Sequence, residues 1–318
     1  MEYRTDTDWA RRMARSMILR RTALDDRWRY EYGVVLLGFE YLAQKTGDSR
    51  LTDYIDSSMK GVVNPDGTIL NYSKSDFNLD NICEGRLLLP LYRRTGDERY
   101  RLAAARLREQ LRDQPRTGEG AFWHKKIYPW QVWLDGLYMA SPFYADYIAE
   151  YGDPSEFDDV TRQFRICYNH TRDAQTGLLY HAWDEKRVQF WCDPATGHSK
   201  NFWGRAMGWF MMALVDVLGI LPAGRADRQE LITMLRETTD AVMRVRDPAT
   251  GVWYQVLNEH GRPGNYLEAS ASCMFCYAVA KGLRMGYLPE KWAQEIRRSW
   301  QGAVEQFVTV TADGFVNL

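Results

Sequence analysis

Two aspartates interrupt otherwise apolar runs: Asp80, in FNLDN, and Asp135, in QVWLDGLYM, each stand where a segment of helical periodicity begins. Two carboxylates facing one cavity can divide proton donation and acceptance between them. A carboxylate in a helix's first turn is also what the helix dipole favours, and for either aspartate alone the two readings balance. Their neighbours decide between them. Trp133 stands just before Asp135, Trp123 and His124 lie upstream, His181 follows the next glycine turn, and Trp203, Arg205 and Trp209 open the helix after that. Carboxylates, imidazoles, a guanidinium and several indoles gathered at one level are more than a plain core uses, and indole faces suit a sugar or a base. Trp28, Tyr30 and Tyr32 precede the first such helix at the same level, where substrate contact and packing are evenly balanced. Glu268, in YLEASAS, reads first as a cap, whereas His170, His198 and His260 read as surface residues.

These residues need a scaffold that brings successive helix starts to one end, and the chain contains a repeat able to supply it. Five times a glycine turn is followed by a short aromatic-rich extended segment: NPDGTILNY at Gly67, RTGEGAFWH at Gly120, RDAQTGLLYHAW at Gly177, RDPATGVWYQV at Gly251 and TADGFVNL at Gly314. Each interval has room for a helical pair, of which the first helix is apolar nearly all round and the second is charged on one side. The apolar helices are predicted to lie inside, at about 31–46, 79–95, 133–151, 203–220 and 267–284. Their charged partners belong outside, at about 8–20, 49–59, 97–113, 155–171, 226–246 and 290–309. This is an all-α, (α/α)6 toroid in a single domain spanning 1–318. With six outer helices and five inner ones, the sixth inner helix is missing at the C-terminus. Neighbouring inner helices pack roughly 8–10 Å apart, so Asp80 and Asp135 can face one cavity.

Composition removes whole classes of partner. A formal charge of -1 provides no field for nucleic acid or an anionic membrane surface. The N-terminal segment has no apolar core of a secretory signal, and no run is long enough to span a bilayer, which points to the cytoplasm. The five cysteines are odd in number and scattered. Cys273 and Cys276 form a CxxC inside a helical run with no second pair at zinc spacing, so packing is the expected role. No HExxH, phosphate-binding loop, dinucleotide fingerprint or serine elbow occurs, and neither metal nor cofactor is expected.

The strings FNLDN, AFWHKK, YPWQVWLDGLYMASPFYADYIAEYGD, HAWDE, FWGRAMGWFMMALVDVL and EASASCMFCYAVAKGLRMGYL resemble the unsaturated rhamnogalacturonyl hydrolases. These are glycoside hydrolases of family 105, relatives of the family 88 unsaturated glucuronyl hydrolases. The resemblance runs over nearly the whole chain. It implies an (α/α)6 barrel that removes a 4,5-unsaturated uronic acid, unsaturated galacturonate linked to rhamnose being the first choice, from the non-reducing end of lyase-generated oligosaccharides. It implies further that Asp135 is the catalytic acid and base and Asp80 the second carboxylate. His124, Trp133, His181, Trp203, Arg205 and Trp209 then line the substrate site, with Arg205 on the uronate carboxylate. Protonation of Asp135 is expected to be favoured by burial and by the Asp80 charge, both of which raise a carboxyl pKa. The expected partner is a small oligosaccharide, and the assembly a monomer or homodimer. Two other readings remain open: an inverting glycosidase using both aspartates on saturated sugars, and a sugar-binding protein that has lost turnover with its sixth inner helix.

Overall fold

The computed structural model describes residues 7–318, and eleven α-helices run through them, most of them joined in pairs by short connections. One compact unit comprises the described residues up to Ser75, with Asp80–Arg112 and Phe307–Leu318; the other comprises Asp76–Leu79 and Asp113–Gln306.

In the first unit, α1 (Thr7–Arg20) is followed by the pair α2 (Tyr30–Thr46) and α3 (Ser49–Val62). The next inner segment departs from the expected single helix over 79–95. It winds as a 3-10 helix over Leu79–Leu87 and only then as α4 (Leu88–Thr95), leading to α5 (Glu98–Asp113). Pro90 explains the break. In an unbroken α-helix it could not donate to the Arg86 carbonyl, and its ring would strike that group. With the helix restarted at Leu88, Pro90 falls in a first turn, where no donor is needed.

Both pairs turn on the same three residues, Thr-Gly-Asp. Gly47 and Gly96 adopt φ of 70° and 68°, ending α2 and α4 in the left-handed conformation that glycine tolerates. The threonine hydroxyls of Thr46 and Thr95 bond back to the carbonyls of Leu42 and Leu91 at 2.7 Å, and Asp48 and Asp97 accept the amides of Arg50 and Arg99 at 3.1 Å. The last segment forms a strand pair, Thr309–Val310 with Val316–Asn317, tied to α1 by the Val316 amide donating to Ser16 Oγ at 2.9 Å.

The second unit holds α6 (Leu134–Tyr151), α7 (Phe157–Thr171), α8 (Gly204–Ile220), α9 (Arg228–Arg244), α10 (Ala269–Arg284) and α11 (Ala293–Phe307). Helices α6, α8 and α10 lie side by side with α8 in the middle. Gly208 of α8 permits the approach of α10, since a Cβ there would meet the Met274 Cβ at 2.7 Å. The outer helices α7, α9 and α11 bury one face each and leave their charges outside, as their amphipathic pattern requires. Each buried Leu, Phe or Met on these faces contributes roughly 1.5–3 kcal/mol. At the far end of α8, Asp216 is buried and paired with Lys281 Nζ at 2.6 Å and the Tyr277 hydroxyl at 2.7 Å.

All five expected glycine turns adopt positive φ; bridged pairs flank those at Gly67, Gly120, Gly177 and Gly314, and at Gly251 the Asp247 amide donates to the Val252 carbonyl at 2.9 Å. Cys273 and Cys276 are free thiols in α10, and burial pushes Cys273 up to about 11, consistent with packing. Among the described residues, no helix is long and apolar enough to cross a membrane.

Candidate active site

A hydrogen bond repeated three times in the second unit sets the register of the site. The first amide of each inner helical segment donates to the residue four positions beyond the next turn glycine. Leu79 N–H meets the His124 carbonyl at 3.1 Å, Leu134 N–H the His181 carbonyl at 3.1 Å, and Gly204 N–H the Gln255 carbonyl at 2.8 Å. The extended segments lie beside the helix starts as a result. Strand β1 (Gln131–Trp133) pairs antiparallel with β2 (Ala182–Asp184), so Trp133 stands opposite Ala182, next to His181.

The second residue of α6, and likewise of α8, stands out from the buried run that follows it. From Leu134 to Ala145 every residue of α6 is buried except Asp135, and from Gly204 to Leu218 every residue of α8 is buried except Arg205. A carboxylate and a guanidinium therefore sit at equivalent positions of adjacent inner helices.

Asp135 is 15% exposed, and its Oδ2 lies 3.3 Å from His181 Nε2, off the line a hydrogen bond would need. The sequence led to an Asp135 pKa raised by burial and by Asp80. Burial does push upward and is the largest single influence, but His181 and the charge of His124 outweigh it and hold the carboxyl below its usual range. The resting Asp135 is thus a carboxylate facing an imidazole.

Aromatic rings wall this pair. Trp133 stacks on His124 at 4.5 Å and on Tyr128 at 5.1 Å, and meets His181 edge-on at 5.1 Å. Trp203 meets His181 edge-on at 4.9 Å and carries the Arg205 guanidinium 4.3 Å above its ring. Glu268 does cap α10, accepting the Ala271 amide at 2.5 Å, and also holds Arg205 Nη1 at 3.2 Å. Trp133, His181 and Trp203 open onto a cleft of about 720 Å³. His124 and Trp209 are placed differently. His124, 2% exposed, lies beneath Trp133, and Trp209, 5% exposed, stacks on Tyr138 at 4.7 Å, so both back the wall.

Two expected site residues belong to the other unit. Asp80, half-buried, is the second residue of the 3-10 helix and follows directly on Leu79. Tyr32, in the first turn of α2, accepts Arg21 Nη1 on its hydroxyl at 2.7 Å, while Trp28 is buried and donates to the Asn81 carbonyl at 2.7 Å. His170, His198 and His260 stack on Trp183, Tyr180 and Tyr254. Among the described residues, no cluster of three or more His, Cys, Asp or Glu side chains is placed to hold a metal ion.

The cleft also contains residues that sequence reasoning missed. Gln255 is one, and its signal was present: like His124 and His181, it stands four residues after a turn glycine. The larger omission is the loop between β2 and α8, which contributes Gln189, Phe190, Trp191 and Lys200. It contains a further glycine turn at Gly197, φ 82°, within DPATG, the same five residues that form the turn at Gly251.

The chain is similar to several known proteins. The protein "Atu3128" of Agrobacterium fabrum is 42% identical over 153 residues, 47% of this chain, and the match spans 63% of that relative's length. The unsaturated rhamnogalacturonyl hydrolase YesR of Bacillus subtilis is 28% identical over 301 residues, covering 91% of this chain and 80% of YesR. A solved family 105 glycoside hydrolase from C. acetobutylicum superposes with a TM-score of 0.95 at 46% identity, covering 98% of this chain and 86% of that one. The unsaturated glucuronyl hydrolase of Bacillus sp. GL1, at 13% identity and a TM-score of 0.71, shares the fold. The fold is the all-α toroid class of paired helices. The profile of Glycosyl Hydrolase Family 88 matches residues 8–318, and the chain belongs to that family.

Proposed function

We propose that this protein is a hydrolase that removes a 4,5-unsaturated uronic acid from the non-reducing end of lyase-generated oligosaccharides, and that the natural bond joins unsaturated galacturonate to rhamnose. The observation that carries this reading is the Asp135–His181 pair, whose imidazole lines an aromatic cleft, with Arg205 at the matching position of the next inner helix. The name borne by YesR favours rhamnose as the second sugar.

In this reading the substrate's C4=C5 bond is a vinyl ether. Asp135 gives a proton to C4, and the ring oxygen stabilises the cation at C5. Asp135, now ionised, takes a proton from water as that water adds to C5. The resulting hemiketal opens to a C5 ketone, and the hydroxyl released at C1 expels the second sugar as an alcohol. No attack at the anomeric carbon is needed, so one carboxyl group serves as acid and then base. Since the resting Asp135 is ionised, it must first gain a proton. An arriving uronate is itself an anion, and a like charge beside Asp135 favours the neutral acid.

Arg205 takes the uronate carboxylate, for which its planar, permanently charged fork is suited. Trp133 and Trp203 stack on sugar C–H faces, with His124, Trp209 and Tyr32 assigned to shaping the site. Asp80 is assigned as the second carboxylate on the strength of the FNLDN resemblance alone. The five free cysteines suit a reducing cytoplasm.

The test is Asp135→Asn assayed on an unsaturated disaccharide by loss of its ultraviolet absorbance. Turnover near that of the parent would remove Asp135 from the reaction. Saturated and unsaturated oligosaccharides offered side by side separate this reading from an inverting glycosidase, for which the saturated one alone would be cleaved.

A further inference from the structure

Phe190 is 92% exposed, and Val188 beside it 74%. A free loop tip would move such a ring freely, but this loop is held. Asp184, fully buried at the end of β2, accepts the Lys186 amide on Oδ1 at 3.1 Å and the Val188 and Gln189 amides on Oδ2 at 2.8 and 3.0 Å. The two ends of the loop are joined as well, because the Asp184 amide donates to the Gly197 carbonyl at 2.9 Å. Gly197 comes so close that a Cβ there would meet the Asp184 carbonyl oxygen at 2.4 Å. Within the span, Arg187 adopts φ 58°, a left-handed conformation that is strained for a non-glycine residue. A buried carboxylate accepting three amides, with a strained residue tolerated between them, is a means of fixing a backbone path.

That path carries Gln189, Phe190 and Trp191 to the same cleft that Trp133, His181 and Trp203 line. His181 lines that cleft and lies 3.3 Å from Asp135, whereas Phe190, on the same lining, stands almost wholly in solvent. The reacting ring belongs beside Asp135, so what reaches Phe190 must be the next sugar along.

We propose that Phe190, with Trp191, is the platform for the sugar released by cleavage, that the choice of this sugar is made there, and that Asp184 is the positioning residue that holds the platform in place. This rests on the unsaturated uronyl hydrolase reading. Phe190 presents an apolar face to the C–H side of a pyranose ring, a contact worth about tenfold in affinity. A ring so exposed can be altered without disturbing the core.

The experiment compares two substrates: an unsaturated galacturonyl-rhamnose disaccharide and the methyl glycoside of the same unsaturated uronate, which has no second sugar. For Phe190→Ala the expected result is a rise of about tenfold in KM for the disaccharide, with the methyl glycoside within about twofold of the parent, and recovery in Phe190→Trp. Asp184→Asn should reproduce the same substrate-selective rise and also speed tryptic cleavage after Lys186 and Arg187. Equal effects on the two substrates, or none on either, overturn the proposal. If the parent turns over neither, the hydrolase reading itself fails, and calorimetric binding of the disaccharide decides the platform separately. Binding about tenfold weaker in Phe190→Ala supports it; equal binding, or none to either protein, overturns it.

Discussion

Oδ2 of Asp135 lies 3.3 Å from Nε2 of His181, and the imidazole holds the carboxyl below its ordinary range against the upward push of burial. Removing the imidazole takes away the stronger of the two influences that oppose burial and leaves only the charge of His124 among the side chains, so in His181→Asn the Asp135 pKa rises. The acid form is then retained to higher pH. The limb of the kcat/KM profile that falls with rising pH should move to higher pH, while kcat drops by about a hundredfold because the partner that orients the proton is gone. The measurement is a pH–rate profile of both proteins on one unsaturated disaccharide. A limb that stays in place would mean that His181 does not govern this proton.

Trp133 stacks on both His124 and Tyr128, so its ring serves as wall and as support at once. Trp133→Ala should raise KM by about tenfold or more and lower the thermal midpoint, since both stacks lose a partner. Trp133→Phe keeps an aromatic face and should recover most of the stability but less of the affinity. Thermal melts and KM values for the two variants separate these roles; a KM equal to the parent's in both would leave the indole with no part in binding.

Why these residues were legible, and others were not, has a physical basis. Asp135 and Arg205 stood out because each is a charged residue in the first turn of a helix otherwise buried all round, and the structure leaves Asp135 slightly and Arg205 more widely exposed. Helix ends at Thr-Gly-Asp were readable because the threonine, glycine and aspartate each satisfy a backbone group locally. The 3-10 segment over Leu79–Leu87 was not, because apolar periodicity barely separates it from an α-helix, and Pro90 within the expected span was the signal to weigh. The loop bearing Phe190 was missed for another reason. It has no periodicity, and its path depends on a carboxylate at Asp184 that reads as an ordinary strand residue; only the repeated DPATG marked it.

Arg205 is held by Glu268 at 3.2 Å while remaining 41% exposed, so its position is fixed and part of its fork faces solvent. If that fork receives the substrate carboxylate, Arg205→Lys should raise KM by roughly tenfold to a hundredfold with kcat little changed, because an ammonium cannot make the two parallel bonds. Glu268→Gln keeps an acceptor for the α10 cap but loses the charge that aims Arg205, and should show a smaller rise in KM. Steady-state kinetics of the two variants test this. A fall in kcat with KM unchanged would place Arg205 in the chemistry and not in binding.

Glu84 is 1% exposed, and neither carboxyl oxygen has a hydrogen-bond partner. Gly33 of α2 lies against it so closely that a Cβ there would meet its Cγ at 2.5 Å. Burial raises its pKa well above the ordinary carboxylate value, so it folds as the neutral acid. The sign follows from linkage. A group whose folded pKa is raised contributes most below its unfolded pKa, near 4.3, and that contribution is lost as pH climbs toward and through the folded value. Glu84→Gln removes the titrating proton while keeping nearly the same shape. Urea unfolding across the neutral and alkaline range should show the parent losing stability with rising pH faster than the variant, the two curves diverging toward the alkaline end. Parallel curves would mean that burial does not raise the Glu84 pKa in the folded protein.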